Sequence, residues 1–280
     1  MSGPLLAVDA PSLLYRAFFA LPSSIENNAL LGCVNQVLWA AERHQPRAVV
    51  MCFGAEAAVY RKKLLPAYHA NRPEMPEDLA RQWADARAFF EAFDWHVLDH
   101  DTLEADDLLG SLATIEAQAG SRAVLFTGDR DMFQCVGDRV VVLFPGGKDG
   151  PTVIDEAGVR ERYGIEPSQV PDFIALRGDP SDGIPGAKGI GEKTAREILR
   201  VHGSLEEAIE SAAKERPKVA MTLRDQGPQL REFKHMATLV HVELDRPTDQ
   251  PTAFGTAADA AEARGMARLA GRLRELASTS

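Results

Sequence analysis

The sequence predicts an α/β fold, with a mainly parallel central sheet flanked by helices and a helical C-terminal region. Short apolar runs of strand length recur at PLLAVD (4–9), AVVMCF (48–53), DWHVLDH (94–100), AVLFTGD (123–129) and RVVVLFP (139–145). Helical patterns separate them, which is the signature of parallel strands buried on both faces. After about Pro171 the strands stop, and glycine-rich and amphipathic helical stretches take over.

Each element has its own warrant. The first strand is apolar until Asp9, and Leu30 to Arg43 reads as the first clear helix before strand two. The stretch from Gly54 to Glu74 is basic, carries Tyr60 and Tyr68, and reads as an excursion rather than core. It lies between a strand and its helix, so it emerges at the strand C-termini, where ligand sites of such sheets sit. A helix from Met75 to Phe93 opens at Pro76 with Glu77 and Asp78 in its first turn, where the helix dipole favours acids. Strand three, a helix from Leu103 to Gln118 and strands four and five follow. From about Pro247 the chain is Ala-rich and charged, and reads as helix with a loose STS end. The expected division is 1–170 for the α/β core, including the excursion at about 54–76, and 171–280 for the helical region.

The bulk numbers narrow the class. A chain of 280 residues, 45% apolar, can bury a large core. No stretch reads as transmembrane, and Asp9 cuts the LLAV run too early for a signal-peptide core. Cys33, Cys52 and Cys135 are far apart and odd in number, so neither a disulfide framework nor a zinc site follows, and a reducing cytoplasm is expected. The net charge of −10 argues on its face against nucleic acid. Most of that excess sits in eight residues, however, and basic stretches stand elsewhere: Arg61-Lys62-Lys63, His69 to Arg72, and Lys188 through Lys193, Arg196 and Arg200.

Those eight acids are Asp9, Glu104, Asp106, Asp107, Asp129, Asp131, Asp179 and Asp182. Each group falls where a strand runs out or a helix begins. Ends of parallel strands open on one edge, so the carboxylates can meet there. Asp129 and Asp131, read as strand residues, share one side, and Glu104 and Asp107 share a helix face. One Asp at such a place is ordinarily a cap or loop residue. The joint pattern exceeds what caps need, since most of the acids would be left unpaired. Crowded carboxylates call for a counter-charge, and hard oxygen ligands select Mg²⁺ or Mn²⁺. Two such ions about 4 Å apart can clamp a phosphodiester. No nucleophile–histidine arrangement is apparent, and His44, His96 and His202 read as ordinary residues.

The segment Gly186-Ala-Lys-Gly-Ile-Gly-Glu-Lys-Thr looks at first like a phosphate loop, but Glu192 breaks the required register and no strand precedes it. It reads better as a helix–hairpin–helix turn. Its glycines let backbone approach a DNA phosphate, and the helix starting near Glu192 offers free N–H groups. Such contacts position without reading bases. A plain helix connector is the bland alternative.

Together VDAPSLLYRAFFALP, YHANRPEMPEDL, LEADDLLGSLA, TGDRDMFQ and GDPSDGIPGAKGIGEKTA resemble the flap endonuclease / 5′–3′ exonuclease family, over about residues 4 to 245. The likeness is strongest to the 5′-nuclease domain of bacterial DNA polymerase I and its free-standing forms. It implies a PIN-like nuclease core and a helix-three-turn-helix that grips duplex and often holds K⁺ through backbone carbonyls. It also implies that Asp9, Glu104 and Asp106 hold one metal, and that Asp106, Asp129, Asp131 and Asp182 hold a second. Asp107 and Asp179 fall in the outer part of the cluster. The 54–76 segment becomes an arch over the 5′ strand, with Arg72 and His69 beside the chemistry and Arg61, Lys62 and Tyr68 facing DNA. Lys188, Gly189, Gly191, Lys193 and Thr194 become duplex contacts, and Tyr15 and Arg16 match a motif near the site. The implied partners are 5′-ended or branched DNA: flaps, nicks and RNA primer–DNA junctions. The protein is expected to be a monomer, bacterial and nucleoid-associated, working in replication and repair without a membrane, and 280 residues leave no room for a polymerase.

Two positions depart from the family pattern. Gly54 stands where an Asp usually follows the Phe ending strand two, and His69 stands where a lysine usually follows the arch tyrosine. Water or Glu56 is the expected substitute ligand. The departures motivate a second reading, a DNA-junction binding protein with feeble or no catalysis. A third, a phosphohydrolase of small esters, needs neither arch nor hairpin.

Overall fold

The computed structural model describes residues 3–70, 72–146 and 150–279; Asn71 of the arch motif and the terminal Ser280 lie outside them. The sheet is built from β1 (Leu5–Asp9), β2 (Ala48–Cys52), β3 (His96–Leu98), β4 (Ala123–Phe126), β5 (Val140–Phe144) and β6 (Thr152–Ile154), in the order β3-β2-β1-β4-β5-β6. All neighbours pair in parallel except β5 and β6. The chain winds outward from β1 through β2 to β3, then returns to place β4 on the other side of β1. The β1/β4 boundary is therefore the switch point where crossovers diverge and a crevice opens.

Around the sheet stand α1 (Ala10–Ala20), α2 (Asn28–His44), α3 (Val59–Leu64), α4 (Glu77–Glu91) and α5 (Ala105–Gln118). The second half adds α6 (Glu156–Tyr163), α7 (Val170–Arg177), α8 (Glu192–His202), α9 (Leu205–Glu210), α10 (Pro217–Ala237), α11 (Phe254–Ala263) and α12 (Ala267–Thr279). Side chains alternate across β1 as the pleat demands. Leu5 and Ala7 join the core under α5, α7 and α10, while Leu6 and Val8 join the core under α1, α2 and α4.

Four sequence expectations change. Strand four ends at Phe126, so Asp129 lies in a loop and Asp131 opens a 3₁₀ turn, Asp131–Cys135. Strand three keeps only His96–Leu98. The helix α1 and the three-residue antiparallel edge strand β6 were not anticipated; α1 is announced by Asp9 as its N-cap with Pro11 in the first turn. The tail after Pro247, grouped by sequence with the helical region, returns to the α/β core. Ala257, Ala258, Ala261, Leu269 and Leu273 bury against the Phe89, Phe90 and Phe93 side.

The tail is therefore structural. Leu273 is fully buried, and Leu273→Ala should cost about 2–5 kcal/mol in urea unfolding. A loose terminus would show no change.

Candidate active site

The switch-point crevice gathers acids by specific hydrogen bonds. Asp9 caps α1: its Oδ1 accepts Ser12 N–H at 2.9 Å, and its Oδ2 accepts the Thr127 hydroxyl at 2.6 Å. The Thr127 oxygen in turn accepts Asp129 N–H at 2.9 Å, and Asp129 Oδ1 accepts Asp131 N–H at 2.8 Å. The loop bonds, rather than strand alternation, bring Asp129 and Asp131 to one place. From the other side, Glu104 and Asp106 arrive at the start of α5. Asp182 comes from the loop after α7, held to the arch by His69 N–H on its carbonyl at 3.4 Å.

Glu104, Asp106, Asp129, Asp131 and Asp182 line one hollow of about 20 Å³, together with Arg61, Tyr68, His69, Arg72 and the Met236–Ala237 end of α10. A space of that size admits about one water-sized sphere. A larger hollow of about 400 Å³ is lined by Gly110, Thr114, Gln134, Cys135 and His241 and by none of the predicted site residues.

Burial and mutual repulsion raise the carboxylate pKa values. Burial raises Asp9, opposed by Thr127 and Ser12. Asp106 is raised well above the ordinary range by burial, then by Asp129, Asp9 and Glu104. Asp131 behaves alike, by burial and then Asp129, Asp182 and Asp179. Asp129 is pushed up to about 6 by burial and by Asp182, Asp9 and Asp179, against the Asp131 N–H that favours its charge. Asp9, Asp106, Asp129 and Asp131 each feel neighbouring acids. Among the described residues, no three His, Cys, Asp or Glu side chains stand close enough to form a ready-made metal cage. The donor type and the unmet negative charge fit a hard divalent ion.

Arg61 is where the arch departs most from expectation. Expected to face DNA, it is buried, with 4% of its side chain exposed. Its guanidinium bonds Glu104 Oε1 at 2.7 Å and both Asp107 oxygens at 3.0 and 3.1 Å, and Nε donates to the Met236 carbonyl at 2.9 Å. Tyr68 is likewise buried, its hydroxyl 3.2 Å from both Glu104 oxygens. Asp107 is wholly buried in this ion pair and also accepts Val240 N–H at 2.8 Å, so it is not at the outer edge of the cluster. Asp179 organises its own loop, accepting Ser181 N–H at 2.9 Å and the Ser181 hydroxyl, with Arg177 at 3.2 Å. Arg61, Tyr68 and His69 are thus buried where the sequence suggested an excursion, because two buried carboxylates require a cation.

The two departures have geometric causes. At Gly54 a Cβ would stand 2.6 Å from Ala105 N and Leu103 O, so no side chain fits there. Glu56 is exposed and is not among the residues lining the hollow; its backbone carbonyl accepts Arg72 Nη1 at 3.2 Å and faces His69 Nδ1 at 3.1 Å. His69 adopts a left-handed φ of 56°, stacks on Tyr68 at 3.9 Å and sets Nε2 3.0 Å from Asp182 Oδ1. Arg72 stands at the mouth, 43% exposed and 4.0 Å from Asp182.

The remaining predicted residues lie outside the hollow. Arg16 and Lys62 are exposed, and Tyr15 is half-buried against Trp83. In the glycine turn, Lys188 and Lys193 are exposed, Thr194 is half-buried in the first turn of α8, and space is open around Gly189 and Gly191. Two residues that sequence did not single out fix this turn: Gln226 Oε1 accepts Lys188 N–H at 2.8 Å, and the Thr222 hydroxyl donates to its carbonyl at 3.1 Å. Thr127 was visible within TGDRD, but nothing in α10 marks Thr222 or Gln226.

A parallel sheet with acids gathered at its switch point, beside a helical glycine turn, defines the class of phosphodiester nucleases. Family models agree: the 5′-3′ exonuclease N-terminal resolvase-like domain matches residues 4–164, and the C-terminal SAM fold matches 165–256. The chain belongs to the 5′–3′ exonuclease family. It is 38% identical over 84% of its length to DNA polymerase I of Caldicellulosiruptor bescii, covering 29% of that protein. It is 35% identical over 92% of its length to the thermostable DNA polymerase I of Thermus thermophilus, covering 31% of it. The chain thus spans less than a third of these relatives. A T5 flap endonuclease complex with DNA and metal ions shares the fold at TM-score 0.71 and 19% identity, covering 98% of this chain and 99% of that one. The catalytic core of Rad2 with DNA gives 0.65 at 14% identity, covering 97% and 92%. No described helix is long and apolar enough to cross a membrane.

Two predictions follow from this geometry. Asp129, raised to about 6, contributes stability that is present below its ordinary value near 3.8 and lost as pH rises through 6. A divalent ion offsets that loss, so the Tm gained with excess Mn²⁺ should be larger at pH 7.5 than at pH 5; equal increments would contradict it. Gly54→Asp should not supply a ligand but destabilise by about 1–3 kcal/mol or more through backbone collision, read by denaturant unfolding.

Proposed function

We propose that the protein is a structure-specific 5′ nuclease, with exonuclease and flap endonuclease activity, that hydrolyses DNA phosphodiesters with Mg²⁺ or Mn²⁺. Its work is primer removal and repair as a cytoplasmic monomer at flaps, nicks and RNA primer–DNA junctions. The observation that carries this reading is one hollow in which five carboxylates meet, with an exposed arginine at its mouth. Asp9, Glu104 and Asp106 would hold one ion, and Asp106, Asp129, Asp131 and Asp182 a second. When bound, divalent ions supply an acidified water and charge stabilisation of the leaving oxygen.

The chain's own residues do the positioning. Arg72 meets the phosphate at the mouth, and Lys62 extends the positive rim. His69, held between Asp182 and the Glu56 carbonyl, fixes the arch against the metal side. Gly189, Gly191, Lys193 and the α8 N-terminus receive duplex phosphates without reading bases. A K⁺ ion at this turn belongs to the same proposal.

The second reading, a junction binder with weak cleavage, is favoured by one observation: Gly54 leaves no room for a carboxylate. Labelled 5′-flap, nicked and single-stranded DNA, incubated with Mg²⁺ or Mn²⁺, separates the two. We expect junction cleavage that Asp129→Asn lowers by about 100-fold or more, with binding that weakens steeply with salt. Tight junction binding with no products would establish the second reading instead.

A further inference from the structure

Three arginines from separate elements gather on one aromatic cluster. Arg130, in the loop between Asp129 and Asp131, has its Cζ 5.9 Å from the centre of the Phe144 ring. Arg162, in the last turn of α6, stands 5.6 Å from the same ring and 5.9 Å from that of Phe133. Arg177, at the end of α7, stands 5.1 Å from Phe173 and 6.0 Å from Tyr163. Ring faces attract guanidiniums at such distances but leave their charge in place. Arg130 and Arg162 are exposed, and among the described residues neither has a carboxylate partner. Their neighbours are paired: Arg160 with Glu156 and Glu166, and Arg177 with Asp179 at 3.2 Å.

Tyr163 is 6% exposed, and its hydroxyl closes no hydrogen bond of ordinary geometry. Burial raises its pKa, and Arg130, Arg177 and Arg162 each oppose the rise, so all three act on one phenol. The Nε of Arg177 is also buried without a partner. The cluster joins two parts of the molecule already described. Towards the hollow, Arg177 opposes the rise that burial causes at Asp131. Towards the glycine turn, Gly164 ends α6 at a φ of 65°, and a Cβ there would stand 2.7 Å from Arg196 Cδ of α8.

We propose that Arg130 and Arg162, backed by Arg177, form a second phosphate-binding track, separate from the arch, for the backbone of a DNA strand running between the acid hollow and α8. This rests on the nuclease reading above. A guanidinium offers paired N–H groups that match phosphate oxygens. The Tyr163 oxygen can accept one N–H and steady the group while its other donors face the strand. A strand suits the site better than a lone phosphate, because the cations come from a loop and two helices between two nucleic-acid contacts.

Fluorescence anisotropy of labelled 5′-flap and nicked DNA with the full chain tests this, with Ca²⁺ present to neutralise the acids. The wild type should bind with a steep salt dependence. Arg162→Gln should weaken binding about fivefold and lower the slope of log Kd against log salt by about one. Arg162→Lys should keep the slope, and Arg130→Gln repeats the test, with Tm confirming that each variant is folded. Unchanged affinity and slope in both glutamine variants overturns the track and leaves the nuclease reading standing. No DNA binding by the wild type overturns both. A deoxynucleoside 5′-monophosphate that raises the Tm of the wild type but not of Arg162→Gln, at equal DNA affinity, assigns the cluster to a single phosphate and also overturns the track.

Discussion

The buried guanidinium of Arg61 is the contact on which the rest of the site depends. Glu104 and Asp107 are brought into the protein by the first turn of α5, and two unpaired carboxylates there would be strongly destabilising. Removing one partner of a buried ion pair costs about 3–5 kcal/mol. For Arg61 to reach them, the arch must fold inward, with α3 laid against α5 and the end of α10. Tyr68 and His69 are carried into the wall of the hollow by the same movement, and Arg72 is left at its rim. The arch is therefore rigid near its base because of charge, not because of apolar burial alone.

Both halves of the chain are needed to enclose the hollow. The sheet supplies Asp9 and the Thr127–Asp129 loop, α5 supplies Glu104 and Asp106, and the loop after α7 supplies Asp182. The close of α10 covers one side through Met236 and Ala237. From there an extended strap runs back along α5: Val242 N–H reaches Ser111 Oγ at 2.8 Å, and Arg246 pairs with Glu116 at 3.0 Å. Arg47 meets the same Glu116 from β2, buried on both sides. These bonds carry the tail to its seat on α4, where the last helices complete the core on that face of the sheet.

Much of this was legible in the sequence, and the reasons it was not elsewhere are physical. Continuous apolar runs revealed the five parallel strands, because burial on both faces leaves little room for polar residues. The acids were legible as a set because no ordinary turn needs so many. β6 was not, since three residues on an edge, two exposed and one buried, carry no periodic signal. The arch was misread because Arg61 looks the same in sequence whether it faces water or a buried carboxylate. Only the partner decides, and the partners lie 43 and 46 positions away. Gly54 could be seen as a departure but not explained, because what excludes a side chain there is backbone from Leu103 to Ala105.

A net charge of −10 is compatible with a nucleic-acid substrate because the negative charge is concentrated where a cation is expected, while exposed Lys62, Arg72, Lys188 and Lys193 form the surroundings. The glycine turn and the arch are also fixed in place. Lys188 is pinned to α10 through both its backbone groups, and the arch is pinned to the Asp182 loop through His69 and the close approach of Gly183 to the Ala67 carbonyl. The Asp182 loop and the glycine turn follow one another in the chain, joined by the pairing of Asp179 with Ile184. The distance from the glycine turn to the acid hollow is therefore set by short, hydrogen-bonded backbone. On the proposed function, a spacer of this kind would place the phosphodiester by where the duplex ends relative to the glycine turn, without contacts to base edges.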